Sequence, residues 1–297
     1  MNVRRKALFL AVLPPLVLRG DVTVRYETSI ETGAAAAQFR SALAPAALGG
    51  SFIRVKGDLQ KATTGKLILI SDLAKQRVTL LDSESKTYAT IPISQYMEQV
   101  AASVPVSPQI AAQARAAAAQ VKLNTAVESK MTGRTETIQG IQAEERQITV
   151  SITMTVPGAQ QAALATRLIM ERWTAKAEEE QRVPALAELA RFNESSLSQL
   201  DFPNSLRSLF ALTPGFEDAI AKMSDAHKGV VARMRLAVVP PAAMGDSPLM
   251  TLVQELKDFS TEPIPDSEFR VPAEYRASSF EEIFKTAIPA LLAPAPR

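Results

Sequence analysis

The chain has 297 residues, 46% hydrophobic and 22% charged, with 33 Lys plus Arg against 31 Asp plus Glu, one His and no Cys. These fractions exclude a wholly disordered, collagen-like or polytopic membrane protein, and the length allows one large or two ordinary domains. The lack of Cys excludes disulfides, thiolate zinc sites, iron–sulfur clusters and a Cys nucleophile, and a single His227 excludes any site built on two His ligands.

Residues 1–20 read as a signal peptide: Arg4, Arg5 and Lys6 precede an uncharged run over 7–18. A bilayer core needs ~20 apolar residues as helix, and Pro14-Pro15 interrupts this run, so no stable transmembrane span is expected. The expected location is periplasmic or secreted, and without a Cys to acylate the mature chain is not a lipoprotein. Loss of the leader removes Arg4, Arg5, Lys6 and Arg19, leaving 29 basic against 31 acidic side chains. A near-neutral mature chain gives no electrostatic reason to bind nucleic acid.

From Asp21 the pattern turns to period two. Val22, Val24, Tyr26, Thr28 and Ile30 share one face against Thr23, Arg25, Glu27, Ser29 and Glu31, which predicts a half-buried strand. Residues 51–60 repeat it, with Ile53, Val55 and Leu59 on one side and Gly57 as a bulge or bend. Short strands over 67–70, 77–81 and 87–91 follow, joined by turns at Ser71-Asp72 and over 82–86 that suit antiparallel neighbours. A helical insertion over about 94–121 is predicted as two pieces, 94–104 and 108–121, the second with Ser107 as N-cap and Pro108 in the first turn. The clearest strand is 147–156, where Ile148, Val150, Ile152, Met154 and Val156 alternate with Gln147 and a row of hydroxyls. Strands over 130–138 and 166–176 flank it as expected partners. A second helical block, about 177–228, breaks into 183–192, 196–212 and 214–225 around Pro203 and Pro214. Strands over 230–239 and 249–259, a helix over 279–288 and a disordered Pro-Ala tail over 289–297 complete the reading. The expected fold class is α+β, with 21–288 as a single domain: a curved antiparallel β-sheet or half-open β-barrel of about 9–11 strands whose helical insertions form a lid.

Motifs for chemistry are sparse. His227 follows Asp225 by two residues, a spacing that does not face the pair together on a helix, so it reads as a helix C-terminal residue rather than a general base. Glu144-Glu145, Glu178 to Glu180 and Glu281-Glu282 read as solvated faces or helix starts rather than a glycosidase pair. Thr64-Gly65-Lys66 lacks the rest of a phosphate loop, and no Gly-x-Ser-x-Gly elbow exists. The sequon Asn193-Glu-Ser195 is short enough to be accidental. No catalytic residue, metal ligand or cofactor is assigned. What remains is apolar surface: Val24, Tyr26, Val55, Leu69, Val150, Ile152, Met154, Met234 and Leu236 are the candidate inward positions, either packed as core or lining a pocket for a hydrophobic ligand, with Arg233 and Arg235 at its rim.

The stretches Phe52-Ile-Arg-Val-Lys-Gly57, Leu69-Ile-Ser-Asp-Leu73, Gln76-Arg-Val-Thr-Leu-Leu-Asp82 and Lys86-Thr-Tyr88 resemble exported bacterial proteins of the outer-membrane lipoprotein carrier fold and a related uncharacterised secreted family. Gly140-Ile141-Gln-Ala-Glu-Glu145 and Phe269-Arg-Val-Pro-Ala-Glu-Tyr275 look like that group's later strand entry and closing segment. The resemblance covers about half the chain in three blocks, while residues 101–121 and 177–228 stand as large insertions. It implies a half-open barrel with a helical lid and a cavity for acyl chains. The expected function is that of a monomeric, non-enzymatic envelope protein binding a lipid, a lipoprotein acyl chain or another hydrophobic ligand. The alternative is a structural module with a packed sheet face that meets an envelope protein partner.

Overall fold

The structure, a computed structural model, describes residues 20–32, 49–103, 122–155, 164–199, 229–241, 245 and 247–292. Among these residues the frame is one unclosed sheet of twelve strands, in the order β12 (Arg276–Ala277), β6 (Thr87–Pro92), β5 (Arg77–Asp82), β4 (Leu67–Asp72), β3 (Leu59–Thr64), β2 (Gly49–Lys56), β1 (Val22–Thr32), β11 (Met250–Ser260), β10 (Val231–Val239), β9 (Leu164–Ala175), β8 (Ile141–Thr155) and β7 (Lys122–Ile138). All neighbours are antiparallel except β12 (Arg276–Ala277), which lies parallel to β6.

One half is a meander of β2 (Gly49–Lys56), β3 (Leu59–Thr64), β4 (Leu67–Asp72), β5 (Arg77–Asp82) and β6 (Thr87–Pro92). Its turns follow from local chemistry. Asp72 accepts the Lys75 amide at 3.0 Å, and Asp82 accepts the amides of Glu84 and Ser85, so each aspartate closes the turn that it opens. The segment 51–60 differs from its sequence reading. Gly57, at φ 57°, begins a two-residue hairpin turn that makes Lys56 face Leu59, so the segment is two strands rather than one bulged strand. The turn also reverses the face of Leu59, which packs with Ile70 and Phe269 instead of with Val55.

The other half contains β7 (Lys122–Ile138), β8 (Ile141–Thr155), β9 (Leu164–Ala175), β10 (Val231–Val239) and β11 (Met250–Ser260). Gln139 and Gly140 both take positive φ in the two-residue turn between β7 and β8. Thr132, Gly133 and Arg134 bulge from β7 opposite the single residue Glu145. Strand β1 (Val22–Thr32) joins the halves, pairing with β2 on one side and β11 on the other.

Helices pack on this frame in two places. Helix α1 (Tyr96–Ser103) and helix α4 (Phe280–Leu292) meet each other over β5 and β6, with the Phe280 ring stacked on Phe284 and edge-on to Tyr96. Helix α2 (Ala177–Arg182) carries Glu178, Glu179 and Glu180 in its first turn, where negative charge suits the helix dipole. It leads into α3 (Pro184–Gln199), which packs on β1 and β2. The opposite face of the meander is covered by the segment 264–275. Ile264 and Phe269 pack on Ile70 and Leu81, Lys56 donates to the Ile264 carbonyl at 2.7 Å, and Lys61 pairs with Glu268 at 2.9 Å. Coverage on both faces explains why β4 and β5 read as near-continuous apolar runs.

The strand count therefore exceeds the expected 9–11, through the β2–β3 split and the parallel β12. Helix α3 runs unbroken through 193–195, where the sequence suggested a gap, and α4 continues through Pro289 to Leu292, into the stretch expected to be a tail. The predicted helices over 108–121 and 214–225, most of 196–212, and His227 lie outside the described residues.

Candidate ligand-binding face

Strand register decides which side chains share a face, because successive residues of a strand point to opposite sides. Val24 pairs with Ile53, Ile53 with Ala62, Ala62 with Leu69, and Val22 with Val55. On the other side of β1, Tyr26 pairs with Leu256, Thr28 with Gln254 and Ile30 with Leu252; Gln254 then pairs with Met234, and Leu252 with Leu236. Leu236 pairs with Met170 and Met170 with Ile148, which puts Val150 and Ile152 on that face and Met154 at its next register position, between Leu123 and Leu164. All nine candidate positions thus fall on one face of one sheet.

They divide into two environments. Val24, Tyr26 and Val55 are buried with Leu186, Leu189 and Phe192 of α3, and Leu69 packs at the junction of that core with the α1–α4 cluster. The Tyr26 ring reaches past β11, and its hydroxyl donates to the Val231 carbonyl at 2.9 Å. Burial, slightly offset by the positive charge of Arg172, pushes its phenol up to about 12. Val150 belongs instead to a separate cluster with Val127 and Ile148, bordered by half-buried Ile152, Leu168 and Met170. Among the described residues no helical side chain belongs to this second cluster. Met234, Leu236, Val238, Met250 and Leu252 are likewise half-buried, and the register carries the strip across to β1. Within the strip Thr125 is buried, and among the described residues its hydroxyl has no hydrogen-bond partner.

Arg146 and Arg172 face each other across β8 and β9, in the row next to Ile148 and Met170. Arg172 is 2% exposed and donates to the Gly229 carbonyl at 3.3 Å. Burial is the main cause that lowers its guanidinium to about 10; Tyr26 opposes that shift and Arg146 adds to it. The sequence reading missed this pair. The signal was present, since Arg172 and Arg146 have the parity of Met170 and Ile148, but only the pairing of β8 with β9 brings the two charges together.

Arg233 and Arg235, expected at most at the rim, lie on the face opposite Met234 and Leu236 and do not border the apolar strip. Arg233 bridges Glu136 at 2.8 Å and Glu255 at 2.6 Å, and Arg235 reaches Glu31 and Glu171 at 3.6 and 3.9 Å. Their odd parity relative to Met234 and Leu236 explains the placement. On this same face Arg134 binds the fully buried Glu145 and lies 5.8 Å over the Trp173 ring. A pocket of about 260 Å³ opens there, lined by Gln147, Arg167, Glu171, Arg235 and Thr251 together with Ile169, Ala237, Val239 and Pro248, and another of about 380 Å³ lies beside α2 between Glu144 and Glu178. Both are more polar than apolar, and neither is lined by any of the nine positions.

Glu144 is exposed and Glu145 buried, on opposite faces of one strand. The Glu281-Glu282 pair opens α4, and the sequon lies inside α3. Among the described residues no group of His, Asp and Glu could hold a metal ion, and no helix is long and apolar enough to cross a membrane. No protein-family model and no curated protein matches the chain.

Proposed function

We propose that the protein is an exported, non-enzymatic component of the bacterial cell envelope that holds a lipid, an acyl chain or another hydrophobic ligand against the strip bearing Val150, Ile152, Met154, Met234 and Leu236. The supporting observation is the apolar cluster of Val127, Ile148 and Val150 with its half-buried border, continuous with the face that α3 covers elsewhere. In this reading Val24, Tyr26, Val55 and Leu69 anchor the helical cover, and the unclosed sheet with its helices is consistent with the half-open barrel and lid that the resemblance to the lipoprotein carriers implies. Burial supplies the driving force: ~300 Å² of apolar ligand surface at ~25 cal/mol per Å² contributes about 7 kcal/mol before the costs of association.

The test is organic-solvent extraction and mass analysis of the full-length chain, expressed for export in a bacterial host and purified without detergent. A stoichiometric lipid that native mass spectrometry releases only on activation is the expected result. An empty protein that also takes up no fluorescent fatty acid decides for the second reading, an interaction module with a fully packed face. The packing of Leu186, Leu189 and Phe192 over β1 and β2 favours that reading for this part of the sheet.

A further inference from the structure

We infer that the ligand of this face is a single-chain amphiphile with an anionic head, a long-chain fatty acid whose carboxylate is taken by Arg146 while its chain lies along Ile148, Val150 and Ile152. The inference rests on the preceding reading and adds the ligand's charge and direction.

Two positive side chains placed directly across two strands repel, and a fold gains nothing from that contact by itself. Arg146 and Arg172 are so placed, on the face that is otherwise the most apolar of this half of the sheet. Arg172 is the buried member, anchored to the Gly229 carbonyl. Arg146 is half-buried, and among the described residues its side chain makes one long hydrogen bond, 3.4 Å to the Ser129 hydroxyl, and no ion pair. Glu144, one row further out on β8, is exposed and does not pair with it. A guanidinium presents parallel N–H donors that fit a carboxylate in two-point contact.

Length fits as well. Six residues of β8 separate Arg146 from Ile152, ~20 Å at ~3.4 Å per residue. One leaflet of a ~30 Å hydrocarbon core gives an acyl chain ~15 Å. The strip can therefore hold a whole chain of membrane length with its head at the arginine row.

The experiment compares a dansyl-labelled undecanoic acid with its methyl ester, binding each to the delipidated full-length chain and reading energy transfer from Trp173, the one tryptophan. The acid is expected to bind roughly tenfold or more tighter than the ester, the scale of one charge-assisted contact. In Arg146→Met the acid should fall to the affinity of the ester while the ester is unchanged, and Arg146→Lys should recover part of the difference. Equal affinity of acid and ester in the unsubstituted protein overturns the inference without any variant and leaves the binding function standing. An equal loss of both ligands in Arg146→Met also overturns it, since a merely structural arginine would act that way. Tighter uptake of phosphatidylglycerol from vesicles than of the fatty acid overturns it in favour of a two-chain ligand. Binding of neither probe overturns it together with the function on which it rests.

Discussion

Glu145 is fully buried, and its carboxylate accepts the Thr132 hydroxyl and the Arg134 Nε, each at 2.5 Å. Removal of Arg134 leaves that carboxylate without its charged partner. Because the arginine is itself more than half exposed, Arg134→Ala should cost about 2 kcal/mol rather than the larger loss seen for fully enclosed pairs. Urea unfolding of the variant measures this, and the double variant Arg134→Met, Glu145→Leu should regain most of the loss. Tyr26 sets an alkaline limit. Its phenol titrates near 12 in the fold and near 10 in the unfolded chain, so the unfolded chain loses the proton first, and the stability present below pH 10 declines as pH rises toward 12. Two pH units correspond to about 3 kcal/mol, and Tyr26→Phe should flatten that part of the stability curve. At the acid end, Lys257 and then Arg233 hold Glu255 below its ordinary value, and Lys61 does the same for Glu268. Their contribution is full above the ordinary carboxylate range and is lost as pH falls through their lowered values, so acid unfolding should be salt-sensitive.

At the level of elements, α3 is the helix whose loss would expose most of the core. Phe192 is fully buried beside Leu186 and Leu189, and Phe192→Ala should lower stability by about 3–5 kcal/mol with an unchanged urea m-value. Strands with one dry face were legible in the sequence: β1 alternates without ambiguity, the second half of β8 does so for seven residues, and β10 does so from Arg233 to Leu236, whereas the register shift before Arg233 puts Ala232 with Trp173. The β2–β3 hairpin was not, because Gly57-Asp58 continues an apparent period-two pattern while reversing the face of everything after it. Strand β9 hid its arginine for a related reason. Ile169 and Trp173 are apolar yet point away from Leu168 and Met170, so composition alone gave no side to Arg172. The nine candidate positions were found by alternation; their division into an α3-covered core and a strip without described helical cover depends on where a helix lands, which local pattern does not encode.

For the whole molecule, the function predicts that charge on the strip blocks binding without unfolding the sheet. Leu168 borders the second cluster and is only half-buried, so Leu168→Lys should leave the thermal midpoint within a few degrees and reduce fatty-acid uptake at least tenfold. The same substitution at Thr63, on the opposite face of β3, should change neither.

The position of β1 at the middle of the sheet has a kinetic consequence. Each half is stitched mainly by neighbours in sequence, whereas the seam sets Thr23 opposite Ser260, nearly the full length of the chain apart. Such distant contacts close slowly, because the entropy of a long loop is lost before the ladder forms. A chain entering a compartment N-terminus first would therefore carry β1 with one side unzipped until β11 arrives, and the final sheet would appear as a late, single cooperative event rather than strand by strand.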